Sequence, residues 1–79
     1  MESIELFFYD LEYVKKNLKQ DEVLFVQIKT VFNETYYVDF DYLSDIPEEK
    51  MISFTYSLSS KEIDYEDIRN ISYFVECCR

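Results

Sequence analysis

Nine carboxylates crowd the stretch from Asp39 to Asp67, against two bases there, Lys50 and Lys61. This segment alone carries −7 in a chain of net −9. Three kinds of chemistry are open to such a set. Acid–base catalysis needs a dry cleft that drives two carboxylate pKa values apart, and a chain of 79 residues has little material to build one. No histidine is present, which removes the usual general base near neutral pH, the commonest zinc ligand and every Ser–His or Cys–His nucleophile pair. Metal binding is the second option. Asp39, Asp41 and Asp45 are spaced D-x-D-x-x-x-D, but the glycine of the sharp turn and the bidentate glutamate of a calcium loop are missing. The third option is electrostatic: rows of carboxylates facing a basic partner. A non-catalytic protein with no metal and no cofactor is therefore expected.

Other reactive groups are few. Cys77 and Cys78 are adjacent, so their Cα atoms lie about 3.8 Å apart, too close for an unstrained mutual disulfide. Two reduced thiols are the expected state, with a redox or metal role as the alternative. The chain contains no glycine at all, which excludes a phosphate-cradling loop and a dinucleotide fingerprint. Few backbone positions that need unrestricted φ are expected.

The elements that must position the acids show in the hydrophobic spacing. Ile4, Phe7, Phe8, Leu11, Val14 and Leu18 recur at three and four residues, predicting a helix from Ser3 to Lys19 with Ser3 as N-cap. Glu2, Glu5, Asp10 and Glu12 precede Lys15, Lys16 and Lys19, the order that suits the helix dipole. The alternative is a short strand over residues 4–9, with Asp10 capping a shorter helix. From Val23 the period becomes two. Leu24, Val26, Ile28, Thr30 and Phe32 alternate with Val23, Phe25, Gln27, Lys29 and Val31, and Asn33-Glu34 is a hairpin turn candidate. Tyr36, Val38, Phe40 and Tyr42 then face inward, with Tyr37, Asp39 and Asp41 outward. Residues 44–49, with the only proline, break that strand. Ile52, Phe54, Tyr56 and Leu58 form one face of the next. The last segment fits a helix through Ile63, Ile68, Ile71 and Phe74. It fits equally a strand over 61–65, a tight turn at 66–68 and a closing strand over 70–76.

The expected architecture is α+β: an N-terminal helix packed on a small antiparallel sheet of four or five strands, with a barrel-like curl as an option. All 79 residues form one domain. Leu, Ile, Val and Phe make up about a third of the chain, enough for a core. Eight tyrosines exceed what so small a core can satisfy with hydrogen bonds, so several must reach the surface. Homodimerisation is one remedy for a thin stability margin. The negative field repels nucleic acid and anionic membrane and attracts basic protein. Neither an apolar run of membrane-spanning length nor a basic-then-apolar leader is present, and the expected location is cytoplasmic.

On a strand, outward residues two apart lie about 6.8 Å apart at roughly 3.4 Å per residue. Asp39 with Asp41, and Glu62 with Asp64, would present charge in regular rows. Asp45, Glu48, Glu49, Glu66 and Asp67 fill the connecting turns, and Tyr37 and Tyr65 are the candidate contact anchors among them. In acidity, size, lack of Gly and His, and Asp/Glu/Tyr-rich strands, the chain resembles the phage-encoded DNA-mimic inhibitors. The resemblance is compositional and runs through the chain without a motif. It implies an inhibitor that occupies the DNA-binding surface of a basic protein, for instance a nucleoid protein such as HU, in the host cytoplasm. Separately, residues 61–71, KEIDYEDIRNI, resemble the closing part of the small YolD-like and Sm-like barrels, which implies a strand, a one-turn helix and a last strand. The rival expectation is a protein-interaction module or homo-oligomeric component that docks through the apolar helix face, with Phe7, Phe8 and Leu11.

Overall fold

A computed structural model describes residues 3–77, with side chains from Ile4 onward. The expected Ser3 cap, Glu2 charge and Cys78 thiol fall outside the described side chains. Helix α1 spans Ser3–Lys16. It stops before Lys19 because the Asn17 side-chain amide donates to the Tyr13 carbonyl at 2.8 Å, satisfying one of the last free acceptors. Six strands follow: β1 (Glu22–Thr30), β2 (Thr35–Asp39), β3 (Leu43–Ile46), β4 (Met51–Tyr56), β5 (Ser59–Asp64) and β6 (Ile68–Cys77). Single 3-10 turns at Phe40–Tyr42, Pro47–Glu49 and Tyr65–Asp67 precede β3, β4 and β6. The expected α+β class holds. The strands divide into two antiparallel sheets, ordered β2-β1-β6 and β3-β4-β5. Among the described residues no ladder joins them, so the barrel does not close.

Period-two burial builds the core. Leu24, Val26, Ile28 and Thr30 of β1 are buried, while Val23, Phe25, Gln27 and Lys29 face outward. Tyr36 and Val38 extend this inner face through β2, and Ile52 and Phe54 oppose it from β4. Tyr36 meets Phe54 and Tyr56 edge-on, with ring centroids 5.3 and 5.0 Å apart. Helix α1 seals one end of this sandwich. Leu11 is fully buried, and Phe8 stacks on Phe40 at 6.4 Å. The apolar helix face is thus consumed inside the molecule, which corrects the expectation that Phe8 and Leu11 serve a partner. The opposite face of α1 exposes Leu6, Tyr9 and Tyr13.

Several boundaries differ from the sequence reading. Val31 and Phe32 leave the strand and are exposed in the β1–β2 turn. The cause is Thr30, whose buried hydroxyl accepts from the backbone N–H groups of Phe32 and Glu34 and so folds the chain back early. Strand β2 ends at Asp39, whose carboxylate accepts from the Asp41 N–H at 2.9 Å and starts the first 3-10 turn. Asp41 and Tyr42 therefore lie in that turn, and Tyr42 is exposed rather than inward. The proline-containing break holds a further strand, β3, before its 3-10 turn. Residues 61–71 contain the strand, single turn and strand, not the helix alternative.

Lack of glycine does not spare the chain left-handed backbone. Asn33, Lys50, Ser57 and Leu58 all have positive φ. Ser57 and Leu58 are the two central residues of the β4–β5 hairpin, with φ of 50° and 67°. Such turns favour Asn-Gly. Leu58 was expected on the inner face of β4, yet it stands wholly exposed at the hairpin tip. A left-handed non-glycine residue costs roughly 1–2 kcal/mol. Replacing Ser57-Leu58 by Asn-Gly should raise the unfolding free energy by about 1–2 kcal/mol, measured as a higher urea midpoint at unchanged m-value. A lower midpoint would show that Leu58 contributes packing despite its exposure.

Candidate protein-binding surface

Alternation along β5 fixes where its acids point. Ile63 and Lys61 face inward, Lys61 with its ammonium 5.7 Å from the centre of the Tyr36 ring. Glu62 and Asp64 face outward and are exposed. Glu62 is opposite Ser53, which is opposite Ser44, so this face continues across the sheet as a row of small hydroxyls. Thr55 and Ser60 form the neighbouring row. Short side chains border Glu62, whereas Asp64 is opposite Met51.

Backbone bonds draw the turns to the same end. The Tyr65 N–H donates to the Lys50 carbonyl at 2.8 Å, fastening the second 3-10 turn to the third. Lys50 reaches this position through its left-handed conformation, φ 52°. Glu49, Asp64 and Glu66 then border one groove, with Lys50, Arg69, Ile4 and Phe7 also lining it. Glu48 projects from the same turn and is exposed. The Val31 N–H donates to the Asp67 carbonyl at 2.9 Å, tying the β1–β2 turn to the third 3-10 turn. Glu62 and Asp67 consequently share a second, smaller groove with Glu34 and Lys61. Glu34 did not stand out in the sequence, because only this long-range bond brings it near.

The other acids have different surroundings. Asp41 pairs with Lys15 of α1 at 2.8 Å, an exposed bridge worth about 0–1 kcal/mol. Half-buried Asp39 caps the first 3-10 turn, so Asp39 and Asp41 do not form the expected row along a strand. Asp45 of β3 accepts a hydrogen bond from the Tyr65 hydroxyl and is half-buried. Burial raises its pKa above the usual carboxylate value, the Tyr65 hydroxyl opposes that rise, and Glu48 adds to it. Tyr65 itself is buried, so it is a pin for β3 and not the contact anchor expected of it. Tyr37 is exposed, but on the outer face of the other sheet, away from Glu62 and Asp64.

That second face forms an aromatic cluster the sequence reading did not assemble. Phe25 and Phe74 are directly opposed on β1 and β6 and stack at 5.5 Å, and Tyr37 meets Phe74 edge-on at 6.2 Å. Phe25 was visible as an alternating strand position and Phe74 as part of the closing segment, but neither their faces nor their register was. Tyr9, Tyr13, Tyr42 and Tyr73 are exposed too, as the excess of phenols required. Among the described residues no three Asp, Glu, Cys or His side chains come together as a metal set. Cys77 is a free thiol, donating to the Asp21 carboxylate at 3.0 Å.

The chain matches no protein-family model, no curated protein and no solved structure. No helix among the described residues is long and apolar enough to cross a membrane.

A pKa raised on folding means that the fold prefers protonated Asp45. Its contribution is fully present below the unfolded value near 3.8 and is lost as pH rises through the higher folded value. Asp45→Asn keeps an acceptor for Tyr65 without the charge. The stability of the parent relative to this variant should therefore improve as pH falls from neutral towards 4, read from paired thermal melts. Carboxyl-carbon NMR should place the Asp45 midpoint above its ordinary value, and a midpoint at or below that value would contradict the assignment.

Proposed function

We propose that this is a non-catalytic acidic binding protein that inhibits a basic DNA-binding protein by occupying the surface meant for DNA. The observation that carries the reading is the grouping of exposed Glu48, Glu49, Asp64 and Glu66 where the second and third 3-10 turns meet the end of β5, with Glu62 two residues back along that strand. Basic proteins bind DNA largely by neutralising its phosphates, with sequence-independent affinity that falls steeply with salt. Carboxylates held on a hydrogen-bonded strand and anchored turns compete for the same lysines and arginines without first losing conformational freedom. Beside Glu62 the sheet face carries the short hydroxyl side chains of Ser44, Ser53, Thr55 and Ser60, which allows close approach. A nucleoid protein such as HU has the required chemistry, and the meeting place is then the cytoplasm. The phage-encoded inhibitors that the composition resembles act in this manner.

The second reading is salt-insensitive docking through the aromatic face of Phe25, Tyr37 and Phe74. It is favoured by those stacked, partly exposed rings and replaces the buried helix face as the apolar alternative.

The test is binding to purified HU-type nucleoid protein, with duplex DNA as competitor. Affinity should fall at least roughly tenfold as salt rises from about 50 to about 200 mM. The triple variant Glu62→Gln, Asp64→Asn, Glu66→Gln should weaken binding by about tenfold or more while melting like the parent. Asp39→Asn with Asp41→Asn should weaken it much less, because one of those acids caps a turn and the other is already paired with Lys15. Unchanged affinity in the triple variant removes the mimic reading. Salt-independent binding lost with Phe74→Ser would support the aromatic face instead.

A further inference from the structure

We infer that β6 is a homodimerisation edge, on which a second copy of this chain adds its own β6 antiparallel about a twofold axis. The two sheets have four edge strands, and three of them are protected. Strand β2 has five residues and ends in Asp39, β3 has four and carries Asp45, and β5 presents Lys61, Glu62 and Asp64. Short length and charge are the usual means of keeping an edge from pairing with another chain. Strand β6 is longer, and its charges, Arg69 and Glu76, sit only near its ends. It runs ten residues, Ile68–Cys77, and among the described residues it pairs only with β1. Its central six residues, Asn70 to Val75, are uncharged and contain no proline.

The side chains of this edge point the same way. Tyr73 and Val75 lie in register with the buried Val26 and Leu24, yet they remain 47% and 38% exposed. Their cover is incomplete, and Phe7 of α1 lies beside Tyr73, at 6.4 Å between rings. Phe74 projects to the other side and is half-buried. Apolar groups thus flank the unpaired backbone on both faces of the sheet, an arrangement a neighbouring strand would cover.

The self-complementary register of this edge selects another copy as the occupant, despite the charge both carry. Two molecules of net −9 repel, so they can associate only where carboxylates are not opposed. An antiparallel strand pairs with itself when the twofold passes through one residue, because the register then keeps every side chain on its own face. With the axis at Tyr73, Ser72 is opposite Phe74, Ile71 opposite Val75, and Asn70 opposite Glu76. No like charges face one another. The result is a continuous six-stranded sheet, β2-β1-β6-β6-β1-β2, and an isologous interface of the kind most homodimers use. The acids of β5 and its turns belong to the other sheet, although the start of β6, Ile68 to Ile71, lines the groove that Glu49, Asp64 and Glu66 border.

Sedimentation equilibrium of the full chain, with reductant to silence its thiols, tests this. The mass should rise from one chain to two between about 5 and 500 μM, and the β6 amides that do not bond to β1 should exchange more slowly as concentration rises. Val75→Lys places a charge on the pairing edge at an exposed position and should weaken association at least roughly tenfold. Ser72→Lys, on the opposite face, should do the same if Val75→Lys fails to fold. One-chain mass at the highest concentration, an assembly larger than two, or a dimer unaffected by a folded edge variant would each overturn the inference.

Discussion

The burial of one side of β1 along its whole length is the constraint on which the rest of the molecule depends. Leu24, Val26, Ile28 and Thr30 are almost completely shielded from water. Their strand is the centre of one sheet, and the opposing Ile52 and Phe54 belong to the centre of the other. Because no ladder among the described residues joins the sheets, apolar contact has to hold them together. Fully burying a large aliphatic or aromatic side chain contributes about 1.5–3 kcal/mol, more than the roughly 0.5–1.5 kcal/mol net of a hydrogen bond. The few polar ties across the structure, Val31 to Asp67 and Tyr65 to Asp45, set register and orientation instead. They decide which turns stand side by side, and hence which acids do.

A sheet protein without glycine has to bend by other means. The 3-10 turns do most of this: each redirects the chain with backbone angles any residue tolerates, and the first is started by Asp39. Where a left-handed residue is unavoidable, Asn33 is well suited and Lys50, Ser57 and Leu58 are not. The strain at Lys50 coincides with the bond that draws the second and third turns together. That at Ser57-Leu58 has no comparable structural return, and nothing in the structure explains the exposed leucine there.

Charge and apolar surface are separated by sheet. The β3-β4-β5 sheet and its turns carry the outward carboxylates and hydroxyls, while the β2-β1-β6 sheet carries the exposed rings and the uncharged edge. The two meet at the groove where Ile68 to Ile71 of β6 lie beside Glu49, Asp64 and Glu66. Buried Tyr65 and half-buried Asp45 are bonded to each other and support β3.

The α+β class, the helix at the N-terminus, the alternation through β1 and the acidity of residues 39–67 were all legible in the sequence. Each is a local property: hydrophobic period and charge density need no knowledge of what lies across the fold. Glu62 and Asp64 were correctly placed outward for the same reason. What local pattern could not decide was grouping and burial. Tyr65 reads like any other tyrosine among acids until Asp45 accepts its hydroxyl from another strand. Asp41 looks like a strand carboxylate until Asp39 turns the chain and Lys15 reaches across from α1. The apolar stripe of α1 could have served a partner, and only the open end of the sandwich claimed it. The sequence alone thus determined which residues are apolar, charged and periodic. The tertiary structure decided which of them are neighbours, because register and long-range backbone bonds join residues that are tens of positions apart in the chain.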